Sequence, residues 1–234
     1  MFVTAIVLAA GSGSRLGSGV PKPLVLINSK PIFIYSLETL CQHPAIDKII
    51  VVASDAFRQE LCARIKQYRI RKVTQVVSGG RRRQDSVLNG LRAVEQKDGL
   101  VLIHDSARPF IDSKTISAVI KEASHSGAAI VAVAAKATIK EARVSRGKTR
   151  VLRTLDRSRL WEAQTPQVFS KELLVQAYKK FARASVTDDS MLAEKLGAVV
   201  SVVPGLYSNI KITTPDDVIV AEGFARHLRK MRSI

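Results

Sequence analysis

Short apolar runs alternate with longer helical stretches along much of this sequence. Strands are predicted at residues 3–9, 48–53, 73–77, 100–104 and 128–134, and helices at 31–41, 56–68, 84–95 and 113–126. This alternation is typical of βαβ units, and runs rich in Val and Ile suit parallel strands that are buried on both faces. We therefore expect an α/β fold with a doubly wound, mostly parallel, Rossmann-like sheet and helices on both faces.

The last third of the chain returns to the same kind of element. Helices are predicted at residues 171–181 and 190–195, a strand at 199–203, and a final helix from Asp216 towards Arg229. We interpret Thr187, Asp188 and Asp189 as the cap of the helix at 190–195, because short polar side chains accept hydrogen bonds from the first turn. One domain over residues 1–234 accommodates all of these elements.

Residues 136–159 depart from the alternation. They are rich in charged and β-branched side chains, and Gly147 lies between two short alternating runs, which predicts a β-hairpin. A hairpin this polar has little core of its own and needs a neighbour to pack against. We expect it to project as a dimerisation arm towards a second copy of the chain. The alternative, an exposed loop, would leave Val151, Leu152 and Leu155 in water.

Composition restricts the class of protein. The hydrophobic fraction is 46%, and no apolar run reaches the length of ~18 residues that a membrane span needs. The N-terminus lacks the cationic region of a signal peptide, so we expect a cytoplasmic protein. The formal net charge of +17 is compatible with a nucleic-acid partner. Aromatic residues make up only 5%, however, and no basic stripe is interleaved with aromatics, which argues against that partner.

The cysteines and histidines do not indicate a reactive or metal-binding site. Cys41 and Cys62 occur without a C-x-x-C pattern or a histidine at ligand spacing. We therefore expect neither a disulfide framework nor a zinc site, and interpret both as buried apolar side chains. His104 lies next to a strand end, and we interpret it as a hydrogen-bonded packing residue rather than a catalytic base.

The first predicted strand runs directly into a glycine-rich loop that carries two separated cations. Gly11 and Gly13 allow the backbone to approach a phosphate chain closely, and successive N–H groups can form an anion-binding nest. Arg15 and Lys22 add full positive charges. The glycine spacing matches neither the dinucleotide fingerprint nor the P-loop. A flexible turn with solvated cations is the alternative, but the prolines that flank Lys22 stiffen its backbone and favour a functional loop.

Several motifs together resemble a known enzyme family. The motif residues are Leu8, Ala9, Ala10, Gly11, Gly13 and Arg15; Pro21 and Lys22; Gly79, Gly80, Arg83, Ser86 and Val87; His104, Asp105, Ala107, Arg108 and Pro109; and Asn209, Ile210, Lys211, Pro215, Asp216 and Asp217. The first of these is similar to the signature of nucleotidyltransferases that act on phosphorylated sugars or polyols. In this order and over nearly the whole chain, the set resembles the 2-C-methyl-D-erythritol 4-phosphate cytidylyltransferases of the non-mevalonate isoprenoid pathway.

The resemblance implies the reaction and the site residues. A phosphate oxygen of the polyol phosphate would attack the α-phosphorus of CTP and expel pyrophosphate, with Mg²⁺ bound mainly through the triphosphate. Arg15 and Lys22 would be catalytic. Nucleotide-binding residues would be Ala10, Gly11, Gly80, Arg83, Ser86 and Asp105. Residues that bind the polyol phosphate would be Arg108, Thr138, Arg157, Thr165 and Lys211, with Thr138 and Arg157 donated by the partner's arm of a homodimer.

Physical arguments support such a site and leave some roles open. Ligands of a doubly wound sheet bind beyond the carboxyl ends of its strands, where the loops after residues 9, 78 and 104 should meet in one cleft. A phosphate monoester is mostly a dianion at pH 7, so no general base is needed. Asp105 could orient the ribose, the substrate or the waters of a metal ion, or it could be a capping carboxylate paired with Arg108. No direct metal ligand is predicted.

Alternative functions remain at this point. The residues leave cytosine and uracil open as the base. A ribitol-5-phosphate cytidylyltransferase would share the first motif, and the regions around Lys211 and Arg157 would discriminate it. A basic nucleic-acid-binding protein on the same scaffold is the alternative from another class. Pro23, Arg81 and Arg82 depart from the family pattern without removing a residue that is assigned to catalysis.

Overall fold

The computed structural model describes residues 1–11, 13, 19–95 and 99–232, the side chains of residues 229–232 excepted. The strands are β1 (Val3–Ala9), β2 (Leu26–Ile27), β3 (Lys30–Pro31), β4 (Lys48–Ala53), β5 (Val73–Ser78), β6 (Leu100–Asp105), β7 (Ala128–Ala134), β8 (Lys140–Ser145), β9 (Lys148–Thr154), β10 (Trp161–Ser170) and β11 (Ser201–Pro204). The α-helices are α1 (Ile32–Gln42), α2 (Arg58–Gln67), α3 (Arg83–Arg92), α4 (Ser113–Ser126), α5 (Lys171–Phe181), α6 (Ser190–Lys195) and α7 (Pro215–Arg232).

A mostly parallel sheet forms the centre of the molecule. Within the described ranges it has seven strands in the order β11-β7-β10-β6-β1-β4-β5. β1 pairs in parallel with β4 and β6, β4 with β5, and β7 with β11, whereas β10 runs antiparallel between β6 and β7. The predicted α/β class and the mostly parallel, Rossmann-like sheet are confirmed.

Helices cover both faces of this sheet. Side chains of α1, α2 and α4 pack on one face, where Phe33 and Leu37 are fully buried against Val7 and Val51. α3, α5 and α6 pack on the other face around Ile6 and Val52. Because successive residues of a strand point to opposite faces, the continuous apolar run of β1 supplies both cores. Among the described helices, none combines the length and apolar character that crossing a bilayer demands.

The predicted hairpin is present. β8 and β9 pair antiparallel around a turn in which Arg146 and Gly147 both have positive φ. Ala142, Val144 and Val151 share one face of this hairpin, since directly paired residues and alternate residues along a strand point the same way. Val144 and Val151 are 74% and 61% exposed in the isolated chain. An apolar hairpin face therefore has no cover within the described chain.

Two predictions were wrong. No strand was predicted between residues 159 and 171, but residues 161–170 form β10, a strand of the central sheet. Cys62 was expected to be buried and is exposed, while Cys41 is half-buried; both are free thiols. Cys62 lies next to the buried Leu61 on α2, and adjacent helical residues cannot share a face.

Candidate active site

A cleft opens at the carboxyl edge of the sheet, beyond the ends of β1, β5 and β6. Its cavity volume is about 510 Å³. Lining residues are Leu8, Ala10, Gly11, Lys22, Pro23, Gly80, Arg81, Arg82, Arg83, Ser86, Asp105, Ser106, Ala107 and Lys211. The expectation that loops after these three strands meet in one cleft is confirmed. Five of the lining side chains are cationic and one, Asp105, is anionic, so the cleft suits a polyanion.

Glycines let two of these loops pack closely. Gly13 has φ +76°, and a Cβ atom there would lie 2.9 Å from the backbone nitrogen of Lys22. The end of the described glycine loop therefore touches the segment that carries Lys22. A Cβ atom on Gly80 would lie 2.3 Å from the Cβ of Asp85, and the Gly80 N–H donates to Ser86 Oγ at 3.0 Å. Only glycine fits these two close approaches.

Asp105 lies between two cations at the end of β6. Arg83 Nε donates to Asp105 Oδ1 at 3.1 Å, and Lys211 Nζ donates to Asp105 Oδ2 at 2.6 Å. Burial would raise the pKa of the Asp105 carboxyl, but Arg83 and Lys211 outweigh burial and hold that pKa well below its usual value. The carboxylate is thus anionic at neutral pH. It orients cations rather than exchanging protons.

Arg83 has a second carboxylate partner that the sequence interpretation did not assign to the site. Its Nη1 donates to Asp189 Oδ2 at 2.7 Å. Asp189 occupies the N-cap position of α6, but its side chain makes no capping hydrogen bond. Asp188 Oδ1 instead accepts from the Met191 N–H at 3.2 Å. Three adjacent polar residues before a helix signalled a cap, and which of them turns inward depends on packing.

His104 and Thr165 form a buried hydrogen-bonded chain behind the cleft. His104 Nε2 lies 3.0 Å from the carbonyl oxygen of Arg108, which can only accept, so Nε2 donates and Nδ1 accepts from the Thr165 hydroxyl at 3.2 Å. Thr165 Oγ1 in turn accepts from the Asp105 N–H at 3.0 Å. Burial lowers the pKa of His104 from 6.5 to about 4. His104 is a neutral packing residue, as predicted.

Arg108 does not pair with Asp105. Its Nη1 donates to the carbonyl oxygen of Asn209 at 2.7 Å and its Nη2 to that of Ala163 at 3.2 Å. Burial lowers the pKa of Arg108. The alternative in which Asp105 caps and pairs with Arg108 is therefore wrong. Proximity in the chain suggested that pair, but the turn after β6 directs Arg108 towards the segment that precedes Lys211.

Sequence and structure comparisons decide the family. The model of the IspD family, described as 2-C-methyl-D-erythritol 4-phosphate cytidylyltransferase, matches residues 3–227. The chain belongs to this family. A cytidylyltransferase of that name from Syntrophus aciditrophicus is 48% identical over 227 residues, which are 96% of each chain. One from Alkaliphilus metalliredigens is 44% identical over 94% of this chain and 92% of the relative.

Solved structures agree. The 4-diphosphocytidyl-2C-methyl-D-erythritol synthase of Anaerococcus prevotii superposes with a TM-score of 0.84, at 32% identity over 96% of each chain. The Francisella tularensis 2-C-methyl-D-erythritol 4-phosphate cytidylyltransferase gives 0.77, at 32% identity over 94% of this chain and 98% of the other. This IspD-family chain is therefore a nucleotidyltransferase of the cytidylyltransferase type.

Three of the remaining predicted site residues of this IspD-family chain, Thr138, Arg157 and Thr165, lie apart from the cleft lining. Thr138 is exposed before β8. Arg157 is exposed after β9, and its Nη1 donates to the Lys136 carbonyl oxygen at 2.7 Å. Thr165 is buried beside Asp105, as described above. Arg15 lies outside the described residues.

The donor set of the cleft can be compared with what a metal ion needs. Within the described ranges, no group of three or more His, Cys, Asp or Glu side chains is arranged to hold an ion. Asp105 is the one carboxylate among the described lining residues, and both its oxygens already accept from cations. This arrangement fits Mg²⁺ that is held through substrate phosphates and its own waters, which is a usual mode for that ion.

Proposed function

We propose that this chain joins CTP and 2-C-methyl-D-erythritol 4-phosphate in the cleft at the carboxyl edge of its sheet. A phosphate oxygen of the methylerythritol phosphate forms a bond to the α-phosphorus of CTP, and the bond to the β-phosphate bridging oxygen breaks. The products are 4-diphosphocytidyl-2-C-methyl-D-erythritol, an isoprenoid precursor, and pyrophosphate. The observation that carries the proposal is the convergence of Lys22, Arg83 and Lys211 on one glycine-lined cleft.

The chemistry needs positive charge rather than a proton acceptor. The attacking phosphate monoester has a second pKa of about 6 and is mostly a dianion at pH 7. His104 is buried and neutral, and Asp105 is held by two cations, so neither offers a free base. Lys22, together with Arg15, stabilises the charge that develops on the α-phosphate. Lys211 holds the phosphate of the methylerythritol substrate as a point charge.

Nucleotide binding is assigned to the glycine loops. Backbone groups of Ala10, Gly11 and Gly80, together with Ser86, face the cleft and form the pocket for the base and ribose. Asp105 is the residue that would accept hydrogen bonds from the waters of an Mg²⁺ ion held through the triphosphate, and such an ion would supply positive charge to the phosphates. The free thiols of Cys41 and Cys62 support a reducing compartment, and we propose the cytoplasm.

The arm completes the site in a homodimer. Val144, Val151 and Leu152 expose apolar surface that the described chain leaves uncovered, and a second copy would bury it. We propose that Thr138 and Arg157, which lie apart from the cleft of their own chain, contact the methylerythritol phosphate in the partner's cleft. Arg157 would bind that phosphate bidentately.

Mixed dimers test the exchange of residues between subunits. Lys22→Ala and Arg157→Ala chains with different tags are co-expressed, and the doubly tagged dimer is purified. If Arg157 acts on the partner's cleft, one site of the mixed dimer keeps both residues and activity reappears. A mixed dimer as inactive as both parent variants would show that Arg157 acts on its own cleft, and a fully active Arg157→Ala parent would remove Arg157 from the site.

A substrate panel tests the reaction itself. The chain is incubated with Mg²⁺, one of the four common nucleoside triphosphates, and either methylerythritol phosphate or ribitol 5-phosphate, and pyrophosphate release is followed. We expect release with CTP and methylerythritol phosphate. Release with ribitol phosphate instead would favour the sister activity. No turnover together with salt-sensitive, submicromolar binding to duplex or single strands would favour the nucleic-acid alternative.

A further inference from the structure

Arg83 is held at two points by two different carboxylates. Its Nε donates to Asp105 Oδ1 at 3.1 Å, and its Nη1 donates to Asp189 Oδ2 at 2.7 Å. The guanidinium is planar and carries five N–H donors in fixed directions. Two anchors on different nitrogens therefore fix both the position and the plane of the group. Among the described residues, Arg83 Nη2 has no hydrogen-bond partner, although Arg83 lines the cleft.

Asp189 is itself fixed by groups from two other elements. The Tyr178 hydroxyl on α5 donates to Asp189 Oδ1 at 2.6 Å, and the Asp189 N–H donates to Gln167 Oε1 of β10 at 3.2 Å. Asp189 and Tyr178 are 1% and 2% exposed. A buried carboxylate has little freedom to turn when one oxygen accepts a hydrogen bond from a hydroxyl and the other accepts from a guanidinium.

The two carboxylates divide the guanidinium between them. If Asp189 were absent, Arg83 could turn both Nε and an Nη group onto Asp105 and form a bidentate pair. The edge of Arg83 that faces the cleft would then turn away from the nucleotide. With Asp189 in place, Asp105 binds Arg83 through Oδ1 alone, and the free edge of Arg83 stays open to the cleft. Tyr178 maintains this division because it occupies the second oxygen of Asp189.

We propose that Asp189 and Tyr178 are positioning residues for the nucleotide. They hold Arg83 so that its remaining N–H groups point to bound CTP, while they themselves lie behind the cleft and touch no substrate. This inference rests on the proposed function, which assigns Arg83 to the nucleotide. It predicts a selective effect: losing either residue weakens CTP binding and leaves the apparent affinity for methylerythritol phosphate unchanged.

Steady-state kinetics and calorimetry with CTP alone test the proposal. Tyr178→Phe removes only the hydroxyl, and we expect the KM for CTP to rise about fivefold, the net effect of one ordinary hydrogen bond, because the hydroxyl acts on the nucleotide only through Asp189 and Arg83. Asp189→Asn should raise it by at least about tenfold, because a charge-assisted bond to Arg83 is lost. The Kd of CTP should rise in parallel. KM for methylerythritol phosphate should change by less than about twofold for both variants.

Tyr35→Phe is the matched control. The Tyr35 hydroxyl also makes a 2.6 Å bond, to the Ile27 carbonyl oxygen, but Tyr35 lies on α1 and does not line the cleft. Its loss should lower stability much as Tyr178→Phe does, without changing the KM for CTP. Thermal unfolding of each variant checks folding, and if Asp189→Asn does not fold, Tyr178→Phe decides.

The outcomes separate the two proposals. A parent chain that releases no pyrophosphate would contradict the proposed function, and CTP calorimetry on the variants would still test the positioning role. A parent that turns over, with Tyr178→Phe and the folded Asp189→Asn matching it in the KM and Kd for CTP, would overturn this inference alone. Equal increases in the KM of both substrates would also overturn it, because they would indicate a general structural role.

Discussion

The charges of the cleft come from residues that are far apart in the chain. Lys211 contacts Asp105, and Arg83 joins Asp105 to Asp189. Sequence motifs identified Arg83, Asp105 and Lys211, and the first two lie where α3 begins and where β6 ends. The pairing between them could not be predicted, since a contact across more than a hundred positions depends on how the loops fold, as in Lys211 to Asp105. The alternative of an Asp105–Arg108 pair is wrong because the Arg108 guanidinium donates instead to the distant carbonyl oxygens of Asn209 and Ala163.

Lys22 is predicted to act on the transition state. Lys22→Ala should lower kcat by on the order of a hundredfold or more, because a cation at the α-phosphate matters most when charge develops there. KM values should change much less. The exposed Lys66 on α2 lines no part of the cleft, so Lys66→Ala is the matched control and should retain parental kcat. A Lys22→Ala chain with near-parental kcat would remove this residue from the mechanism.

His104 makes stability depend on pH. Its pKa is about 4 in the fold against 6.5 ordinarily, so between these values the unfolded chain binds more protons than the folded one. The unfolding free energy should therefore fall as pH drops, by about 2 kcal/mol between pH 7 and pH 5 from this group. Urea unfolding of the parent and of His104→Gln at both pH values isolates the contribution of His104 to this pH dependence. The variant should lose about 2 kcal/mol less, and an identical pH dependence would contradict the assignment.

Helices and strands with a clear pattern of apolar residues were predicted well. The bounds of α5 and α6 and the strands β1, β4 and β7 agree with the sequence prediction. β10 was missed because Pro166 and its polar neighbours argue against a central strand. The register between β10 and β7 shifts between Ala163 and Gln167, and Pro166 lies in this irregular stretch, where no ladder bond is required of it. The local sequence of a strand also does not indicate that the strand will insert antiparallel between strands of a mostly parallel sheet, as β10 does.

The loop between β5 and α3 is predicted to tolerate no side chain at Gly80. Gly80→Ala would place a Cβ atom 2.3 Å from the Asp85 Cβ and 3.1 Å from the Ser86 N–H nitrogen, so the loop must shift. We expect a stability loss of about 1–3 kcal/mol and a KM for CTP raised by about tenfold or more. Both are measured by urea unfolding and steady-state kinetics.

Gly223 supplies the control for that variant. It lies in α7, and a Cβ atom there would meet nothing within 4 Å. Gly223→Ala should leave kinetics unchanged and stabilise the helix by about 0.5–1 kcal/mol. Equal tolerance of alanine at Gly80 and Gly223 would contradict the close approach described for the nucleotide loop.

In the whole molecule, one sheet carries the cleft, and we propose that the arm completes the cleft of a second copy of the chain. The sheet brings loops from β1, β5 and β6 together at a cationic edge, and the net charge of +17 suits substrates that are polyanions. On the face of the arm opposite Val144 and Val151, Arg143 lies directly across from Arg150. Sequence patterns predicted the fold class, the cleft and the hairpin. They did not predict β10 or the hydrogen bonds of Asp189, because both depend on how distant segments pack together.

A crystal structure of the chain with bound CTP would show whether this cleft is the nucleotide site. We expect the triphosphate in the cleft, with the Lys22 ammonium at the α-phosphate, the base against Gly80 and Ser86, and Arg83 Nη2 within hydrogen-bond distance of the nucleotide. CTP bound at another surface, or bound here with Lys22 directed into bulk water, would contradict this expectation.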